Sequence, residues 1–115
     1  MSRLGAVLLT VALAGTPVAA HAADRPANPV TIYVSADATV EVNGQVTTLN
    51  QVDPALAKAA SAHQTVMYFR DNPNSDPSPE VEKTSDAVIG SVARHQLPIC
   101  FATDATFAAC GRMGQ

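Results

Sequence analysis

The chain has no tryptophan, and only two tyrosines and three phenylalanines among its 115 residues. So few rings cannot build a pocket walled by aromatic side chains, which argues against a small-molecule site of the usual apolar kind. Charge is also sparse, with seven basic and ten acidic residues and a formal net charge of −3. The arginines and lysines are scattered, so no basic stripe invites nucleic acid. Gly44, Gly90, Gly111 and Gly114 form no phosphate-binding loop, and no Gly-x-Ser-x-Gly elbow marks a serine nucleophile. With two cysteines and only His63 and His95 as soft partners, the ligands for a zinc site are lacking. The reading therefore carries no metal, no cofactor and no catalytic residue.

Long hydrophobic runs are missing as well. The apolar stretch Leu4 to Ala14 is broken by Gly15, Pro17 and His21, short of the roughly 20 residues that a spanning helix needs. Arg3, this brief apolar run and the tripeptide Ala20-His21-Ala22 instead read as a secretory signal peptide over residues 1–22, cleaved after Ala22. No cysteine stands at the cleavage site, so lipid attachment there is not expected. The expectation is an exported protein, periplasmic or secreted, with no stable membrane anchor after cleavage. Removing 22 of 115 residues leaves 93, with six basic and ten acidic residues. That length fits one domain.

Cys100 and Cys110 suit an oxidising compartment and are expected to form a disulfide. Whether the bridge joins one chain or two stays open. A bridge within one chain closes a short loop and stabilises by about 2–3 kcal/mol in the chain-entropy model.

Residues 23–29 carry two prolines and read as a flexible lead-in to a domain over residues 30–115. Apolar residues alternate at Val30, Ile32 and Val34, pause at Ala36-Asp37, and resume at Val40 and Val42. Period two over β-branched residues predicts strands at Val30–Ala36 and Thr39–Val42. Asn43-Gly44 then turns the second strand onto a third, Gln45–Thr47. Thr48-Leu49-Asn50-Gln51 looks like a capping box, and Asp53-Pro54 is a second helix-start signal. Either start leads to a helix ending near Ala62, with Val52, Leu56, Ala59 or Ala60, and His63 on one face.

Thr65–Arg70 is apolar on both faces and reads as a central strand. Asp71 to Pro77 is turn chemistry throughout. Ser78-Pro79-Glu80 opens a second helix with inward residues Val81, Ser85, Val88, Ile89 and Val92. Leu97–Thr103 is the last expected strand, followed by a turn from Asp104 that carries Cys110 back. The order β-β-β-α-β-α-β predicts an α+β two-layer sandwich, a mixed sheet with both helices on one face. Thr31, Tyr33, Glu41 and Thr47 or their neighbours should line the other face.

The order and spacing of several residues resemble the periplasmic domain of the ExbD/TolR family, small accessory subunits of energy-coupling complexes in bacterial envelopes. The resemblance spans Val30 to Thr103. It rests on Asp37 at the strand bend, Val42-Asn43-Gly44 before the helix, and Leu49, Val52 and Leu56 along it. A strand ending in Asp71, a helix with Val81 and Val88-Ile89, and the closing strand complete it. It implies binding to an envelope protein or to peptidoglycan, and a homodimer; Tyr33, Asp37, Asn43 and Asp71 are the candidate binding residues. Two departures stand out. The hydrophobic segment holds no carboxylate before Asp24, so the family's proton-driven membrane helix has no counterpart. The cysteine pair is not part of the family pattern either.

The remaining chemistry reads as structural. The loop Asp71 to Asp76 offers oxygens for Ca²⁺, but Pro73 stands where an EF-hand needs a ligand, and no glycine or distant glutamate follows. Glu80, Glu82 and Asp86 near a helix start are dipole partners and surface charge. His63 and His95 fall at helix ends. Two functional classes remain. The first is a non-enzymatic interaction module, related to the ExbD/TolR periplasmic domains; the alternative is a small secreted hydrolase or ligand-binding protein on the same scaffold.

Overall fold

The computed structural model describes residues 25–113; the expected signal peptide and its cleavage site lie outside them. Strand β1 (Val30–Val34) buries every second residue, as its alternation dictates. β2 (Val40–Val42) and β3 (Gln45–Thr47) follow, joined by Asn43-Gly44 with φ of 52° and 82°. Positive φ at both turn positions matches the right-handed twist of the flanking strands. Helix α1 (Leu49–Ser61) leads to β4 (Val66–Arg70), and α2 (Pro79–Arg94) leads to β5 (Ile99–Ala102).

The sheet runs β3-β2-β1-β4-β5-β6, with β1, β4 and β5 parallel and the outer pairs antiparallel. The fold is an α+β two-layer sandwich. Val30, Ile32 and Val34 pack with Val66 and Tyr68 against Val52, Leu56 and Ala59 of α1 and Val81, Val88 and Val92 of α2. The inward positions of α2 also include Thr84 and Ser91, while Ser85 is half-buried and meets the Tyr68 hydroxyl at 2.9 Å.

Three local features depart from the sequence reading. The Thr48 side chain makes no capping bond, so the capping box does not form, and Pro54 sits inside α1 instead of at its start. A sixth strand, β6 (Cys110–Met113), pairs with β5 where a turn was expected. It has no alternation of its own to reveal it. It follows β5 across a register shift between Phe101 and Ala102. Thr47 lies opposite Val40 and so belongs to the helix side of the sheet. Its neighbour Val46, opposite Glu41, takes the other face and is 71% exposed.

The expected lead-in is tied down within the described residues. Arg25 Nε donates to the Phe107 carbonyl at 2.7 Å, and Gln64 Nε2 donates to the Asn28 carbonyl at 3.0 Å.

Cys100 and Cys110 form a disulfide within the chain, with Cα atoms 5.7 Å apart. Register places Cys100 beside Met67 and Thr31, on the face away from the helices. Both Cys100 and Met67 are nonetheless fully buried. The segment from Thr103 to Ala109, tethered by the bridge and by Arg25, lies on this face, with Ala105 and Phe107 beside Thr31 and Tyr33. That face is therefore roofed at the β5 end and open toward β1 and β2.

Candidate functional site

The open part of the sheet is built around Tyr33. Its ring stacks on Phe69, its register partner on β4, with centroids 6.3 Å apart and planes within 5°. Glu41 stands opposite Tyr33 on β2. The connection from β1 to β2 is a tight bend in which Ala38 N–H donates to the Ser35 carbonyl at 3.0 Å. Within it the Ser35 hydroxyl donates to Asp37 Oδ1. Thr39 N–H reaches both Ser35 Oγ at 3.1 Å and Asp37 Oδ1 at 3.2 Å. These bonds favour the charged carboxylate, the Ser35 hydroxyl first, and lower the Asp37 pKa.

Asp71 arrives from the end of β4. Its N–H extends the parallel ladder to the Val34 carbonyl at 2.9 Å, and its Oδ2 accepts from Ala36 N–H at 3.2 Å. The Asp71 carboxylate as acceptor for the protonated phenol of Tyr33, then burial, then the nearby charges of Asp71, Glu41 and Asp37, push the phenol up to about 12. Tyr33, Asp37, Glu41 and Asp71 thus line one cavity of about 490 Å³, with Ser35, Ala36 and Thr39. A second cavity of about 280 Å³ adjoins it, lined by Thr31, Tyr33, Glu41, Gly44, Ala105 and Phe107.

Three of the four binding residues expected from the sequence, Tyr33, Asp37 and Asp71, therefore converge. Asn43 does not join them. It holds the turn, accepting Thr31 N–H on Oδ1 at 3.0 Å and donating its own N–H to the Thr31 carbonyl at 2.8 Å. Ser35 and Thr39 were not singled out from sequence, and their only signal is the Ser-x-Asp-x-Thr spacing of the bend. In the 71–76 loop, Arg70 donates to the carbonyls of Pro73 at 3.3 Å and Ser75 at 3.2 Å, so those oxygens already face a cation. Among the described residues no group of three His, Cys, Asp or Glu side chains is placed to hold a metal ion.

A serine, a histidine and an aspartate also meet, in an arrangement that does not activate the serine. Asp53 Oδ1 accepts from Ser91 Oγ at 2.6 Å and Arg94 at 2.6 Å, and His95 Nε2 lies 3.1 Å from the same oxygen. The hydroxyl spends its proton on the carboxylate, and the imidazole faces the carboxylate too. A nucleophile would need the imidazole as its acceptor. Ser91 is also 2% exposed, out of reach of a substrate. This cluster joins α2 to α1.

No family model matches the chain, and the searches of curated proteins and of solved structures likewise find no match.

Proposed function

We propose that the chain is a non-enzymatic interaction module of the cell envelope, periplasmic or secreted, that binds an envelope protein or a cell-wall component. The observation that carries this reading is the one-sided layering. The helices cover one face of the sheet, and the other presents the Tyr33–Phe69 stack beside three carboxylates at the end of β1. The reading also leans on the resemblance of residues 30–103 to ExbD/TolR periplasmic domains. Export is supported by the disulfide, and no helix among the described residues is long and apolar enough to cross a membrane. A homodimer is a further proposal. β3 is an edge strand, but it is three residues long, and a second copy would gain few backbone bonds from it.

The hydrolase alternative is supported less well, because the Ser91, Asp53 and His95 cluster lacks a serine–histidine contact. The test is crosslinked capture from envelope extract by the intact protein, by Tyr33→Ala and by Asp71→Ala, beside a panel of ester and peptide substrates. Capture lost in both variants, with circular dichroism unchanged, supports the module. Turnover that disappears in Ser91→Ala or His95→Ala overturns it.

A further inference from the structure

We infer that the groove along β1 and β2 receives an extended peptide segment in which a lysine or arginine and an apolar residue stand two positions apart. The inference rests on the binding-module reading and names the chemistry of its partner.

The two depressions of the open face adjoin at Tyr33 and Glu41, which line both. One end is anionic, with Asp37, Glu41 and Asp71, and no lysine or arginine lines it. The other is apolar at its outer wall, where Ala105 and Phe107 face Thr31 and Gly44. Charge complementarity calls for a cation at the first end. A guanidinium there meets fixed carboxylate oxygens and the Tyr33 ring, both of which favour arginine. Among the described residues Arg25 is nearby, but its Nε is engaged by the Phe107 carbonyl and it lines neither cavity.

Spacing selects the kind of segment. The apolar cavity is lined by Thr31 and Tyr33, and the anionic one by Tyr33 and Ser35. The two ends are therefore offset by one two-residue strand step, about 7 Å. Alternate side chains of an extended peptide point the same way at that same spacing. The amine of a cell-wall stem peptide offers a cation but only methyl groups beside it, and leaves the Phe107 wall unfilled.

Phe107 is held in place on both sides. It lies in the segment closed by the Cys100–Cys110 bridge, its N–H donates to the Asp104 carbonyl at 3.1 Å, and its carbonyl accepts from Arg25. Its φ of 56° is costly for an aromatic residue and persists because these contacts fix it.

The test titrates the oxidised protein with capped Arg-Gly-Phe and Phe-Gly-Arg tripeptides, followed by amide chemical shifts and calorimetry. One or both should bind, with shifts confined to Thr31–Thr39, Glu41–Gly44 and Ala105–Phe107. Replacing the arginine of the peptide by glutamate should abolish binding. Glu41→Gln should weaken it about fivefold, as for one partly exposed charge pair, and Phe107→Ala should weaken it without changing its salt dependence. Equal binding of the arginine and glutamate peptides, or shifts elsewhere on the surface, overturns the inference. So does tighter binding of a disaccharide–peptide cell-wall fragment at the same residues, which leaves the module reading intact. Cleavage of a peptide during the titration overturns the module reading itself.

Discussion

The Asp71 carboxylate accepts from Ala36 N–H at 3.2 Å and lines the same depression as the Tyr33 hydroxyl, joining the C-terminal ends of β1 and β4, the two central strands of the sheet. The phenolate is disfavoured three ways: it would lose a charge-assisted bond, it would be partly desolvated, and it would face three carboxylates. Tyr33 therefore ionises near pH 12, about two units above an ordinary tyrosine. Tyr68 is also raised, by burial against the helices. An ultraviolet titration of the oxidised protein should show both tyrosines ionising late. Asp71→Ala should bring one of them down and leave the other in place. A folded-state pKa raised above the unfolded value gives stability that is complete below pH 10 and lost as pH rises toward 12. If both tyrosines move together in Asp71→Ala, the pair is not the cause.

Asp53 behaves in the opposite sense. Ser91, then Arg94 and His95, stabilise its charged form and lower it to about 2. A lowered folded-state pKa gives stability that is complete above the ordinary carboxylate range near 4 and lost as pH falls toward 2. Denaturation midpoints measured between pH 2 and pH 5 should therefore fall with acid in the native protein. Asp53→Asn should be less stable at pH 6 and should flatten the slope over the acid window. An unchanged slope would mean that the contact between α1 and α2 does not depend on this charge.

Both helices end in the same way, and neither uses glycine. At the end of α1, Gln64 N–H donates to the Ala59 carbonyl and His63 N–H to the Ala60 carbonyl; at the end of α2, Leu97 does so to Val92 and Gln96 to Ala93. These are Schellman motifs, with His63 and Gln96 at φ of 55° where glycine is the usual choice. The Gln96 side chain is exposed, so removing it sacrifices little packing. Gln96→Gly should stabilise the domain by about 0.5–1 kcal/mol in urea denaturation, net of the greater entropy of glycine in the unfolded chain. A loss of stability would show that the left-handed position carries no strain.

Much of the fold was legible because its signals are local. The alternation of Val30, Ile32 and Val34, the Asn43-Gly44 turn and the Ser78-Pro79 helix start each fix an element within a few residues. What stayed hidden depends on partners distant in sequence. β6 exists by pairing with β5, and Asp53 acts as a clamp because α2 brings Ser91 and Arg94 to it. The site was partly legible in the same way. Tyr33, Asp37 and Asp71 could be named as separate residues. Their convergence needed the parallel pairing of β1 with β4, and Asn43, named with them, turned out to serve the hairpin.

The roof over Met67 gives the last prediction. Met67 and Cys100 lie on the face away from the helices and are fully buried, on the side where the disulfide-closed segment carries Ala105 and Phe107. Cys100→Ala with Cys110→Ala removes the cross-link from the unfolded chain as well as the tether from the folded one. The expected cost is about 2–3 kcal/mol by urea denaturation. The sandwich core stands apart from this face, since neither Met67 nor Cys100 belongs to it, so far-ultraviolet circular dichroism should be retained. Met67 should respond differently. With the segment free to lift, its thioether becomes accessible, and dilute peroxide should oxidise it several times faster than in the bridged protein. Peptide mapping by mass spectrometry reads this directly. Equal Met67 oxidation rates in the two proteins would mean that the Arg25–Phe107 bond and the packing of Phe107 hold the roof closed without the bridge.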